Sequence, residues 1–144
     1  IVVSIDAKKT QDNNYEVYIQ NGSEPTGFHP VDWAKGVEKR GAGEIFLTSI
    51  DNDGGLQGYD LELVKQVAEA VSIPVIASGG VGEWQHFVDG IVKGKADAVS
   101  AANIFHFSEQ STRKAKDYML AHGVDLRKPV YYTVQTPRNI QYKV

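Results

Sequence analysis

Carboxylates, hydroxyls and small residues gather at four places in the chain, each time just after a short apolar run. Ile1-Val2-Val3-Ser4-Ile5 ends in Asp6, and Gly43-Glu44-Ile45-Phe46-Leu47 runs through Thr48-Ser49 into Asp51-Asn52-Asp53-Gly54-Gly55. Ile73-Pro74-Val75-Ile76-Ala77 gives way to Ser78-Gly79-Gly80-Val81-Gly82, and Ala96-Asp97-Ala98-Val99-Ser100 gives way to Ala101-Ala102-Asn103. An apolar, β-branched run that stops at polar residues reads as a buried parallel strand, and α/β folds place their chemistry at the carboxyl ends of such strands. Asp6 is placed to act as a general acid or base, flanked in sequence by Val3 and Ile5, whose apolar side chains would raise its pKa. Asp51 and Asp53 could serve as bases or ligand contacts, and Asp-Asn-Asp-Gly is equally an Asx-rich turn. The Asp-x-Asp spacing matches the start of a calcium loop, but the further ligands do not follow, so no metal is expected. Ser78-Gly79-Gly80 precedes a helical pattern, where successive glycines let backbone N–H groups approach an anion at the positive end of the helix dipole. Ala101-Ala102-Asn103 ends the very next strand, which makes two neighbouring cradles for one phosphate. The four histidines, His29, His86, His106 and His122, carry no metal spacing and no partnered nucleophile, and read as packing or solvated residues.

Helical patterns separate these strands. Pro30 to Arg40 has Pro at a permitted early position, Val31, Ala34 and Val37 on one face and Gly41 as terminator. Tyr59 to Val71 is amphipathic, with Leu63, Val64, Val67, Ala70 and Val71 facing inward. Glu83 to Val92 is closed by Gly94, and Ser111 to Ala121 has Ser111 as cap and Gly123 as stop. After Asp6, Tyr15 to Ile19 beside the turn pair Asn21-Gly22 predicts a short hairpin excursion. The result is an α/β chain in which one β/α unit repeats four times, as in half of an eight-stranded barrel or a small doubly wound sheet.

Composition agrees. The 144 residues, 42% apolar and 23% charged, suit one soluble globular domain with a real core. A net charge of −3 gives no electrostatic case for nucleic acid or an anionic membrane. The absence of cysteine excludes disulfides, thiol catalysis and thiolate-held metals, and fits a reducing, cytoplasmic setting. No apolar run reaches the length of a membrane span. Because Ile1 opens inside a strand already under way, the chain reads as part of something longer.

Several stretches together resemble one family. They are Val2-Val3-Ser4-Ile5-Asp6-Ala7-Lys8, Glu38 to Gly54, Gly58-Tyr59-Asp60, Ile76-Ala77-Ser78-Gly79-Gly80 and Phe105-His106-Phe107. In this order they resemble the carboxyl-terminal half of the cyclase subunit of imidazole glycerol phosphate synthase, a histidine-biosynthesis lyase. The likeness covers about 1–127 and leaves 128–144 as a tail without family counterpart. It implies a (β/α)8 barrel of two similar halves, each with one catalytic Asp and one phosphate site, this chain supplying strands five to eight. By the same resemblance Asp6 is the second catalytic acid/base, and Thr48, Ser49 and Asp53 line the substrate side. Gly54, Ser78, Gly79, Gly80, Ala102 and Asn103 surround one phosphate of a bisphosphorylated substrate. Glu44 lies at an ammonia entrance facing a glutaminase partner. No metal or organic cofactor is implied.

The chain departs from the family pattern at Asn103, where Ser is expected, and at Asn52, Gly55 and Leu56, where the family loop is more basic and polar. Two other readings stay beside the cyclase: a paralogous subunit of a sugar-amidating amidotransferase, and a non-catalytic phosphate-binding half-barrel. Four parallel strands with one apolar barrel-facing surface also predict a homodimer, unless the hairpin or the run Val130 to Val134 covers the opening.

Overall fold

The computed structural model of the protein describes residues 1–106 and 112–129. Strand β1 (Val2–Lys9) is followed by a hairpin, β2 (Tyr15–Ile19) and β3 (Glu24–Pro25), then α1 (Pro30–Lys39), β4 (Glu44–Ser49), α2 (Leu61–Ala68), β5 (Val75–Ser78), α3 (Trp84–Val92) and β6 (Ala98–Val99). A 3-10 turn (Asn103–Phe105) and α4 (Thr112–Ala121) complete the described residues. The sheet order is β3-β2-β1-β4-β5-β6, with β1, β4, β5 and β6 parallel and the hairpin antiparallel to β1. It begins and ends on different strands, so the sheet is open: four β/α units form half of a (β/α)8 barrel. The predicted hairpin therefore joins the sheet and pairs along the outer edge of β1. Its turn is made by Gln20, Asn21 and Gly22, all with positive φ.

Register explains which faces are covered. Ile5 pairs with Leu47 and Leu47 with Ala77, while Ile45 pairs with Val75, so these side chains share one face of the sheet. All five are buried, and on that side α1 packs on β1 and β2, α2 on β5 and α3 on β6. The opposite face carries Ser4, Asp6, Lys8, Tyr18, Phe46, Thr48, Ile76 and Ser78, all exposed or half-buried.

Local chemistry sets the helix ends. His29 caps α1 by accepting the Val31 N–H at Nδ1 (3.3 Å), with Pro30 in the first turn. Asp60 caps α2, so Tyr59 and Asp60 stand before that helix rather than within it, and the helix stops at Ala68, short of Val71. Leu63, Val64 and Val67 are its buried residues. The predicted cap Ser111, Phe107 and the run Val130 to Val134 lie outside the described residues.

Candidate active site

The carboxyl ends of β1, β4 and β5 are in register: Asp6 pairs with Thr48 and Thr48 with Ser78, with Tyr18 opposite Asp6 on the hairpin. Tyr18, Asp6, Thr48 and Ser78 thus form a polar row across the open face. Adjacent strands lie about 4.8 Å apart, so Asp6 and Ser78 stand roughly 10 Å from each other along the row. Ser4 Oγ is 3.4 Å from Asp6 Oδ1. The ammonium of Lys8 sits 5.9 Å over the ring of Tyr18 and gives this face a cation. Val3 and Ile5 do not furnish the apolar surroundings expected for Asp6: strand alternation turns them to the helix side, and the residues beside and directly opposite Asp6 on its own face, Ser4, Lys8, Tyr18 and Thr48, are polar.

Next to this row is a cavity of about 290 Å³ lined by Phe46, Asp53, Gly54, Ser78, Gly79, Gly80, Val81, Ser100, Ala101, Ala102 and Asn103. It unites three loops that the sequence keeps roughly 25 residues apart. The backbone N–H groups of Gly54, Gly80, Ala102 and Asn103 have no hydrogen-bond partner among the described residues. Unpartnered N–H groups around one hollow, with the Asn103 side-chain amide beside them, make a donor-rich cradle suited to an oxyanion. Asp53 at the rim is exposed, and as an acceptor it suits a hydroxyl of the ligand better than a phosphate.

Glycine is required here by contact. A Cβ on Gly80 would stand 2.2 Å from the Gly58 carbonyl oxygen, and one on Gly82 would stand 2.4 Å from that of Leu56. The Gly58 N–H donates to the Gly80 carbonyl at 2.7 Å, and Asn52 Nδ2 donates to the Gly58 carbonyl at 2.9 Å. The loop from Asn52 to Gly58 is therefore bound face to face with the Ser78–Gly82 turn.

The other sequence-derived residues fall in different places. Thr48 lies on the open face, but Ser49 is 4% exposed on the helix side and contributes its carbonyl, which accepts the Asp53 N–H at 3.1 Å. Asp51 accepts the Lys9 N–H at 2.8 Å and ties the end of β1 to the β4 loop, a structural role. Glu44 is exposed at the opposite end of the sheet, paired with Val2. His86 Nδ1 accepts from the Gly82 and Glu83 N–H groups (3.1 and 3.3 Å), and so is a capping residue. No group of three metal-ligating side chains occurs among the described residues. Phe46 and Ser100 line the cavity although sequence reasoning passed over them. Phe46 was findable, because buried Ile45 and Leu47 force it to the other face.

Comparison with known families agrees with this architecture. Residues 1–111 of the 144 match the family described as histidine biosynthesis protein, and the chain belongs to that family.

Proposed function

We propose that this chain is the phosphate-binding, Asp6-bearing half of a cyclase barrel of the imidazole glycerol phosphate synthase type. The observation that carries the reading is the convergence of Gly54, Ser78-Gly79-Gly80 and Ala102-Asn103 on one cavity beside the Asp6–Thr48–Ser78 row. The cradle anchors a phosphate of the substrate, and Asp53 accepts from a neighbouring hydroxyl. Asp6 moves a proton at the reacting centre while Thr48 hydrogen-bonds beside it. In this reading ammonia arrives from a glutaminase partner at the Glu44 end of the sheet and travels along the open face to the Asp6 row. In this reading the setting is cytoplasmic; separately, no helix of the described residues is long and apolar enough to cross a membrane.

Acid and base roles on opposite sides of one ligand need two groups, and Asp6 is the one carboxylate in the row among the described residues, so in this reading a complementary half-barrel supplies the second. The test is an assay of the chain with the aminoimidazole carboxamide ribonucleotide substrate and saturating ammonium, with and without an added amino-terminal half-barrel of the family. Turnover should require the added half and be lost in Asp6→Asn. Turnover by the chain alone would refute the half-site reading. If the completed barrel binds phosphate without turnover, the non-catalytic reading is favoured.

A further inference from the structure

Gly58-Tyr59-Asp60 reaches three different parts of the molecule with three successive residues. Gly58 exchanges contacts with Gly80 as described. Asp60 Oδ1 accepts from the Leu63 N–H (3.1 Å) and from the Tyr15 hydroxyl (2.8 Å). Between them Tyr59, 5% exposed, donates its hydroxyl to the Ser100 carbonyl at 2.9 Å. Room for its ring exists because position 90 in α3 is glycine: a Cβ there would lie 2.9 Å from two ring carbons of Tyr59 and 2.9 Å from Val99 Cγ1. The ring passes beneath α3 to reach the end of β6.

That end is otherwise held by α3, through its packing on β6 and through Phe105 against Trp84 and Phe87. β6 has two residues and, among the described residues, pairs with β5 alone, and its ladder closes where the Ser100 N–H meets the Ala77 carbonyl at 2.8 Å. From Ser100 onward the chain forms the second wall of the cavity, Ala101-Ala102-Asn103, facing the wall made by Gly54 and Gly80. Burial pushes the Tyr59 hydroxyl well above its ordinary pKa, which keeps its proton in place for donation.

We propose that Tyr59 is a positioning residue for the anion cavity, its hydroxyl fixing the Ser100–Asn103 wall relative to the Gly58–Gly80 wall so that donors from both converge on one oxyanion. The proposal rests on the phosphate-site reading above for its functional consequence, but not for the positioning itself. A tyrosine held by its ring and bonded at its tip transmits the geometry of one loop to another.

Tyr59→Phe removes the bond and keeps the ring; Tyr15→Phe removes the comparable buried bond to Asp60, away from the cavity, and is the control. Inorganic phosphate titrated by calorimetry should bind about tenfold more weakly to Tyr59→Phe, the worth of one hydrogen bond, and unchanged to Tyr15→Phe, with similar losses of melting temperature in both. Backbone NMR should show the Ser100 carbonyl and the 101–103 amides shifted in Tyr59→Phe only. Equal phosphate affinity in wild type and Tyr59→Phe overturns the proposal. If the wild type binds no phosphate, the phosphate-site reading fails and the resonances decide: unmoved 100–103 signals overturn the positioning role, and displaced ones uphold it. If Tyr59→Phe does not fold, Gly90→Ala, which crowds the ring from α3, takes its place under the same criteria.

Discussion

Asn103 Nδ2 lies 4.0 Å from the point where a Cβ on Gly54 would stand, so the two loops that carry them meet across the cavity. Asn103→Asp changes almost no volume and sets a negative charge among the donors. It should raise the Kd for inorganic phosphate at least about tenfold, or about 1.4 kcal/mol, with the melting temperature nearly unchanged. Calorimetry and thermal unfolding on the same samples check both halves. A substitution at Gly80 would not isolate anion binding: any Cβ meets the Gly58 carbonyl, and φ is +100°. Gly80→Ala should destabilise by about 3 kcal/mol through strain and displaced backbone, read from urea unfolding. Asp6 makes one long contact to Ser4, so Asp6→Asn should cost less than about 0.5 kcal/mol while abolishing turnover in the completed barrel. That contrast separates a chemical role from a structural one.

At the scale of elements, helix ends are joined to neighbouring strands by single polar side chains. Asp60 serves two elements, capping α2 and accepting from Tyr15 on β2. Asp60→Ala should therefore cost about 2 kcal/mol, at the upper end for a cap because a half-buried tyrosine hydroxyl is also orphaned. Denaturant unfolding measures it. Glu38 in α1 accepts both the N–H and the hydroxyl of Ser72 (2.7 and 2.6 Å), which fixes the entry to β5. The hydrogen bonds from the Ser72 side chain and then from its backbone hold the Glu38 carboxyl below its ordinary range. The folded pKa lies below the unfolded one, so the stabilisation is full above the unfolded value near 4.5 and fades as pH falls through the folded value. The melting temperatures of wild type and Glu38→Gln should differ at pH 7 and converge as the pH is lowered below about 4. A constant difference across that range would show that the carboxylate is not responsible.

For the whole molecule the decisive feature is a sheet that, among the described residues, is covered on one face only. Helices lie over Ile5, Leu47 and Ala77, while Phe46, Ile76 and the polar row stay on the open side. Parallel sheets are normally covered on both faces, and this one ends in two-residue strands, β3 and β6, that offer little edge for pairing. Face-to-face association of two copies is the expected solution in the absence of a complementary half. Sedimentation equilibrium should give about twice the 15.8 kDa chain mass, and adding an amino-terminal half-barrel should convert the dimer to a mixed pair. A concentration-independent monomer would contradict this.

Much of this could be read directly from the chain. Apolar runs ending in Asp6, Thr48, Ser78 and Asn103 marked the strands, since a strand buried against helices needs β-branched residues and its polar terminus is where the backbone turns outward. Glycines at Gly54, Gly79 and Gly80 marked the cradle, since all three take positive φ and Gly79 and Gly80 also meet another backbone at close range. These are local requirements, written at the residues that meet them. What only the tertiary structure decided depends on side-chain parity and on partners distant in sequence. Register placed Thr48 on the open face and Ser49 on the buried one, although the two read alike as neighbours. Packing made Asp51 a tether for Lys9, 42 residues away, and sent the Tyr59 hydroxyl to Ser100, 41 residues away. No periodicity carries such information, because a hydrogen bond between loops is fixed by where several strands end relative to one another, which is a property of the assembled sheet.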